Sequence, residues 1–246
     1  MELLDSSTPE QETLPREPEE RIAIKPKENN IEFLGVKSQG QRFCIIADNS
    51  GSMHGPKIID LRTQLLKTLQ DFDKGGEFYI YCFNSVSEPM PHPTWLTNAA
   101  PQAGKIRTWV EDIKARGGTN PATAFDAAFK LSPPPDVIFF MTDGLIPPNV
   151  PEQVVRLNKG MPKVVVNTIM FADGGLAGMF PMGPMPPFPK KGALPKGAAP
   201  KGAVPKGAFP GGVPPAFAEM EAKAEVHLKL IAEQSGAKFT RYVAKE

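Results

Sequence analysis

At 246 residues the chain is long enough for one or two domains with a buried core. Its 28 basic residues balance 27 acidic ones, which excludes the bulk electrostatics of a nucleic-acid or membrane-surface binder. Two cysteines exclude a disulfide framework or a four-cysteine zinc site, and 50 Pro and Gly residues exceed what one compact domain holds unless they cluster.

Taken in chain order, residues 1–38 read as an acidic, largely disordered tail, whose first 30 residues hold eight acids, four bases and four prolines. The apolar run Phe43–Ala47 predicts a buried strand. Pro56 to Phe72 predicts a helix, with Ile58, Leu61, Leu65, Leu69 and Phe72 at helical spacing and Pro56 in the first turn. Glu77–Phe83 predicts a second strand, and the Pro-broken stretch from Val86 to Thr97 a short edge strand. Ile106, Trp109, Val110 and Ile113 form a second helical stripe. Pro121–Leu131 reads as a short helix capped by Asn120, and Asp136–Met141 as a strand. Pro151–Leu157 follows as a helix and Val164–Phe171 as a strand. Phe217, Met220, Ala224, Leu228 and Ile231 mark a last helix ended by Gly236, and Lys238–Val243 a last strand.

Much of the Pro and Gly excess falls in one block. Residues 173–216 hold 11 Pro and 10 Gly and repeat a Lys-Gly-Ala-x-Pro pentapeptide four times from Lys191. Neither helix nor ladder propagates through such a segment, so a disordered low-complexity insertion is expected, carrying Lys190, Lys191, Lys196, Lys201 and Lys206. The expected organisation is a tail at 1–38 and one α/β domain over 39–246, interrupted at 173–216. Alternating strands and helices, with strands apolar on both faces, predict a mostly parallel central sheet with helices on both faces, a three-layer Rossmann-like sandwich. No apolar stretch approaches a membrane span, and no leader pattern opens the sequence, so a cytoplasmic protein is expected.

In such sheets functional loops follow the carboxyl ends of the strands. Three of these loops are polar: Asp48-Asn49-Ser50-Gly51-Ser52-Met53, Gly117-Gly118-Thr119-Asn120 and Thr142-Asp143-Gly144. Asp48, Ser50, Ser52, Thr119 and Asp143 offer two carboxylates and three hydroxyls, all hard oxygen donors. That set suits Mg²⁺, with Mn²⁺ and Ca²⁺ as alternatives, and disfavours zinc or copper. Asp48, Ser50 and Ser52 alternate along an extended turn, and Gly51 would relieve crowding beside an ion. An ordinary helix cap competes as an explanation of Asp48 to Ser52 taken alone.

Asp48-x-Ser50-x-Ser52, then Thr119, then Asp143, resembles the metal-ion-dependent adhesion site of von Willebrand factor type A domains. The flanking Gly51, Met53 and the two glycine turns resemble that pattern as well. The resemblance implies that Ser50, Ser52 and Thr119 contact a divalent ion while Asp48 and Asp143 act through water. It further implies that an Asp or Glu of a partner protein completes the ion's shell, which is binding chemistry rather than catalysis. Two alternatives stand beside it. One is a Mg²⁺-dependent phosphoryl-transfer or hydrolytic enzyme on a Rossmann-like fold, although no GxGxxG, GxxxxGK[ST] or GxSxG is present. The other is a scaffold that binds through the lysine-rich insertion, its metal site vestigial.

Overall fold

The computed structural model describes residues 29–72, 76–160, 162–172 and 215–243. It opens with a hairpin, β1 (Asn29–Phe33) and β2 (Val36–Gly40), paired antiparallel from Asn29–Gly40 to Phe33–Val36. This corrects the boundary expected at residue 38: ten residues assigned to the tail by composition belong to the fold. The reason is burial. Ile31, Phe33, Leu34 and Val36 are all enclosed, and the Phe33 ring lies 5.8 Å from Phe139. The two-residue turn places Leu34 at φ 51° and Gly35 at φ 81°, the positive pair that matches strand twist in tight hairpins. Thr68 ties the hairpin to the helix below by donating its hydroxyl to the Glu32 carbonyl at 3.2 Å.

The remaining elements follow the predicted alternation. They are β3 (Arg42–Asp48), α1 (Pro56–Asp71), β4 (Glu77–Phe83), β5 (Ser87–Pro89), α2 (Ala103–Glu111), α3 (Ala122–Ala128) and β6 (Val137–Thr142). They continue with α4 (Val150–Leu157), β7 (Val165–Ala172), α5 (Pro215–Ser235) and β8 (Phe239–Val243). Helix α5 starts two residues inside the block drawn at 173–216, with Pro215 at its head, where a missing N–H costs nothing. The rest of that block and residues 1–28 lie outside the described residues. Helix α3 begins at Ala122, one residue later than expected, so Pro121 rather than Asn120 takes the N-cap position; Asn120 stands one step outside, its Oδ1 accepting the Ala122 N–H at 3.2 Å.

The main sheet has the order β5-β4-β3-β6-β7-β8, parallel throughout except for the edge pair β4–β5. Strand β6 is buried at every position, as a strand covered on both faces must be. Its two central rings show the two layers. Phe139 meets Phe33 and Phe43 on one face, whereas Phe140 meets Phe125 of α3 at 4.8 Å and Phe83 at 5.7 Å on the other. Thr168, in register with Phe140, donates to the Leu228 carbonyl and so fixes α5 on the α3 side. This is the expected α/β sandwich.

Strand β3 lies between β4 and β6, so the chain leaves β3 toward one side and later returns to pair on the other. The carboxyl end of β3 is therefore a topological switch point, where an open α/β sheet leaves a crevice. The loops after β3, β4 and β6 share that edge.

Candidate metal centre

Asp48 ends β3, and its side chain is buried on the sheet face it shares with Thr142, one step beyond the Ala47–Met141 register pair. Its two oxygens are used differently. Oδ2 accepts the Thr142 hydroxyl at 2.5 Å, and Oδ1 accepts the Ser50 N–H at 2.7 Å, curling the chain into the short 3₁₀ turn Gly51–Met53. That turn sets Ser50 Oγ 3.0 Å from Ser52 Oγ, and Ser52 donates to Asp143 Oδ1 at 2.7 Å. Four of the five predicted residues thus form one continuous hydrogen-bonded chain.

The capping explanation fails on the same contacts. Ser50 precedes the 3₁₀ turn, yet its hydroxyl caps nothing, and α1 starts only after Gly55. Both serine hydroxyls are turned toward each other and the carboxylate instead.

Thr119 enters differently. It is half-buried and takes no part in that chain of contacts. Its loop is nonetheless pinned to the serine turn, because Gly51 N–H donates to the Gly117 carbonyl at 3.0 Å. A Cβ on Gly51 would come 3.2 Å from that same oxygen, so the neighbouring loop leaves a side chain little room there. Gly117 sits at φ 71°, where a Cβ would also meet Ser85 Oγ at 3.0 Å. Ser85 in turn accepts the Gly118 N–H at 2.8 Å, and the Asn84 carbonyl accepts the Asn120 N–H. The loop after β4 therefore holds both ends of the turn that carries Thr119.

Asn84 is the joint of this arrangement. Its amide nitrogen donates to Asn49 Oδ1 and to Glu88 Oε1, and Glu88 also receives Arg116 at 2.7 Å. Residues 49, 84, 88 and 116 carry no recognisable spacing, so sequence reasoning passed over them. Lys57 was missed as well. Its ammonium donates to Asp143 Oδ2 at 2.7 Å, while the Asp143 side chain is fully buried. One signal for it exists in the sequence: a lysine in the first turn of a helix, the end that prefers anions.

Electrostatically the site is strained toward a cation. Burial first, and the negative charge of Asp143 second, push the Asp48 carboxyl up to about 6, against hydrogen bonds from Ser50 and Thr142 that hold it down. Two carboxylates sharing a buried cleft call for positive charge between them, and Lys57 supplies one unit. The donor set consists of carboxylate and hydroxyl oxygens, and among the described residues no three His, Cys, Asp or Glu side chains converge. Hard oxygen donors of this kind fit Mg²⁺, Mn²⁺ or Ca²⁺. His54, beside the serine turn, is exposed and stays outside the contact chain.

No protein-family model matches the chain. Human inter-alpha-trypsin inhibitor heavy chain H4 is 30% identical over 97 residues, which are 39% of this chain and only 10% of that protein's length. Among solved structures, the conserved hypothetical protein BatB from Bacteroides thetaiotaomicron superposes with a TM-score of 0.52 at 15% identity. It covers 84% of this chain and 92% of its own. A von Willebrand factor type A structure from Catenulispora acidiphila aligns at a TM-score of 0.45 and 16% identity, over 56% of this chain and 34% of its own. Among the described residues no helix is long and apolar enough to cross a membrane.

Proposed function

We propose that this chain, an α/β sandwich of the von Willebrand factor type A kind, is a divalent-metal-dependent protein-binding module. The observation that supports this most is the contact chain Asp48–Ser50–Ser52–Asp143, in which four residues from two distant segments of the sequence lie side by side at the switch point of the sheet. Ser50, Ser52 and Thr119 would hold the ion through hydroxyl oxygens, with Asp48 and Asp143 acting through water. Mg²⁺ is the proposed ion, and when bound it supplies a Lewis-acidic position open to a carboxylate. The chain's own part is to orient the hydroxyls, through the Ser50 N–H bond to Asp48, and to keep both carboxylates buried and facing the cleft.

The partner is proposed to be a protein presenting Asp or Glu, since an acidic oxygen matches a hard cation left incompletely coordinated. We assign no catalytic step to the site: the arrangement needs neither a nucleophile nor a proton shuttle to bind. Cys44 and Cys82 are free and buried, which agrees with the reducing, cytoplasmic compartment included in this proposal.

The test is calorimetric titration of Mg²⁺ and Mn²⁺ into wild type, Asp48→Ala and Ser50→Ala. Binding by wild type, weakened at least about tenfold in both variants with unchanged circular dichroism, is the expected result. Equal binding by all three, or none by wild type, rejects the metal site. Partner capture that persists in EDTA would instead favour a metal-independent surface.

A further inference from the structure

We propose that Lys57 is a built-in counter-charge to Asp143 that weakens divalent-ion binding and keeps the loaded site positive toward an acidic partner. This rests on the metal-binding reading above. The geometry is direct: Lys57 Nζ lies 2.7 Å from Asp143 Oδ2, with the lysine side chain 15% exposed and the aspartate side chain fully covered. A buried carboxylate without a partner is costly, so Asp143 needs a cation whether or not a metal is present.

The position of Lys57 argues that Asp143, not the helix, accounts for it. Lys57 is the second residue of α1, directly after Pro56, and no acidic residue stands in that first turn. A cation there opposes the helix dipole, so α1 gains nothing from it. The two oxygens of Asp143 are also divided. Oδ1 accepts from Ser52, while Oδ2 accepts from Lys57. Lysine and a bound ion would therefore share the negative charge of one carboxylate.

The charges then add simply. Asp48 and Asp143 contribute two negative charges and Lys57 one positive, so an arriving divalent ion meets a net single negative charge. Once loaded, the site carries one net positive charge, which a single partner carboxylate neutralises. Without Lys57 the loaded site would already be neutral: the ion would be held harder and the partner attracted less.

The experiment titrates Mn²⁺ into the full chain as wild type, Lys57→Met, Lys57→Arg and Ser50→Ala, with thermal unfolding of each in EDTA and in saturating Mn²⁺. Lys57→Met is expected to bind Mn²⁺ about tenfold or more tightly than wild type, and Lys57→Arg close to wild type. In EDTA, Lys57→Met should melt below wild type because Asp143 has lost its counter-ion, and saturating Mn²⁺ should close or reverse that gap. If Lys57→Met folds poorly, Lys57→Gln carries the same expectations. Should the neutral variant bind Mn²⁺ no better than wild type while Ser50→Ala loses binding, the role of Lys57 is overturned and the metal site stands. Should wild type and the neutral variant both fail to bind, or Ser50→Ala bind as well as wild type, the metal-site reading falls and this inference with it.

Discussion

Ser52 donates its hydroxyl to Asp143 across 2.7 Å, although 91 positions separate the two in the chain. This bond joins the loop after β3 to the loop after β6, and it is what turns two polar turns into one site. Ser52→Ala should lower stability in chelator by about 1.5–3 kcal/mol, the worth of one hydrogen bond to a charged group, read by denaturant unfolding. It should also weaken Mn²⁺ binding by about tenfold in calorimetry. Full retention of both would mean that the bond is incidental.

Gly117 offers a test of the loop that carries Thr119. Its backbone lies at φ 71°, and a Cβ would press on Ser85 Oγ at 3.0 Å. Gly117→Ala is expected to cost about 1–3 kcal/mol in unfolding and to weaken Mn²⁺ binding without touching any proposed donor. A control at Gly144, where a Cβ meets nothing within 4 Å, should leave stability nearly unchanged.

The Asp48 carboxyl predicts a pH signature in the metal-free protein. Its folded value of about 6 stands above the unfolded value of about 3.9. A carboxyl raised in this way costs stability above pH 6, and the cost fades as pH falls toward the unfolded value, because the folded state takes up its proton first. Asp48→Asn lacks this penalty. In EDTA, the stability advantage of Asp48→Asn over wild type should therefore shrink by about 1 kcal/mol between pH 7 and pH 5. A difference independent of pH would mean that the carboxyl is not so perturbed.

Phe33 tests the hairpin. Its side chain is completely buried against Phe139, in a segment that composition alone assigned to the tail. Phe33→Ala should destabilise the domain by about 3–5 kcal/mol, as large core truncations do. A loss below about 1 kcal/mol would return residues 29–40 to the status of a peripheral attachment.

Much of the sheet was legible because its strands are continuous apolar runs bounded by breakers. Glu77–Phe83 was read to the residue, and β3, β6, β7 and β8 to within one residue at either end. The hairpin was not, since Ile31 and Phe33 alternate for only a few positions and follow an acidic, proline-bearing stretch. The Leu34-Gly35 turn between Phe33 and Val36 was the available signal. At the site, Asp48, Ser50 and Ser52 were legible from local spacing. Lys57 and Asn84 were not, because their partners are fixed by which strands are neighbours.

The sequence by itself determined the order of elements, the polar strand-end loops and the chemical type of the donors, since periodicity and side-chain chemistry are local properties. Only the tertiary structure decided that β3 lies between β4 and β6, which brings Ser52 to Asp143 and Gly51 to Gly117. It alone decided that burial raises Asp48 and that an ammonium from α1 faces the second carboxylate. Those outcomes depend on distances and desolvation, which arise only once separated segments share one low-dielectric crevice. The glycines, conspicuous in the composition, divide the same way: Gly35 serves its own local turn, whereas Gly51 and Gly117 sit where loops far apart in the chain leave a side chain little room.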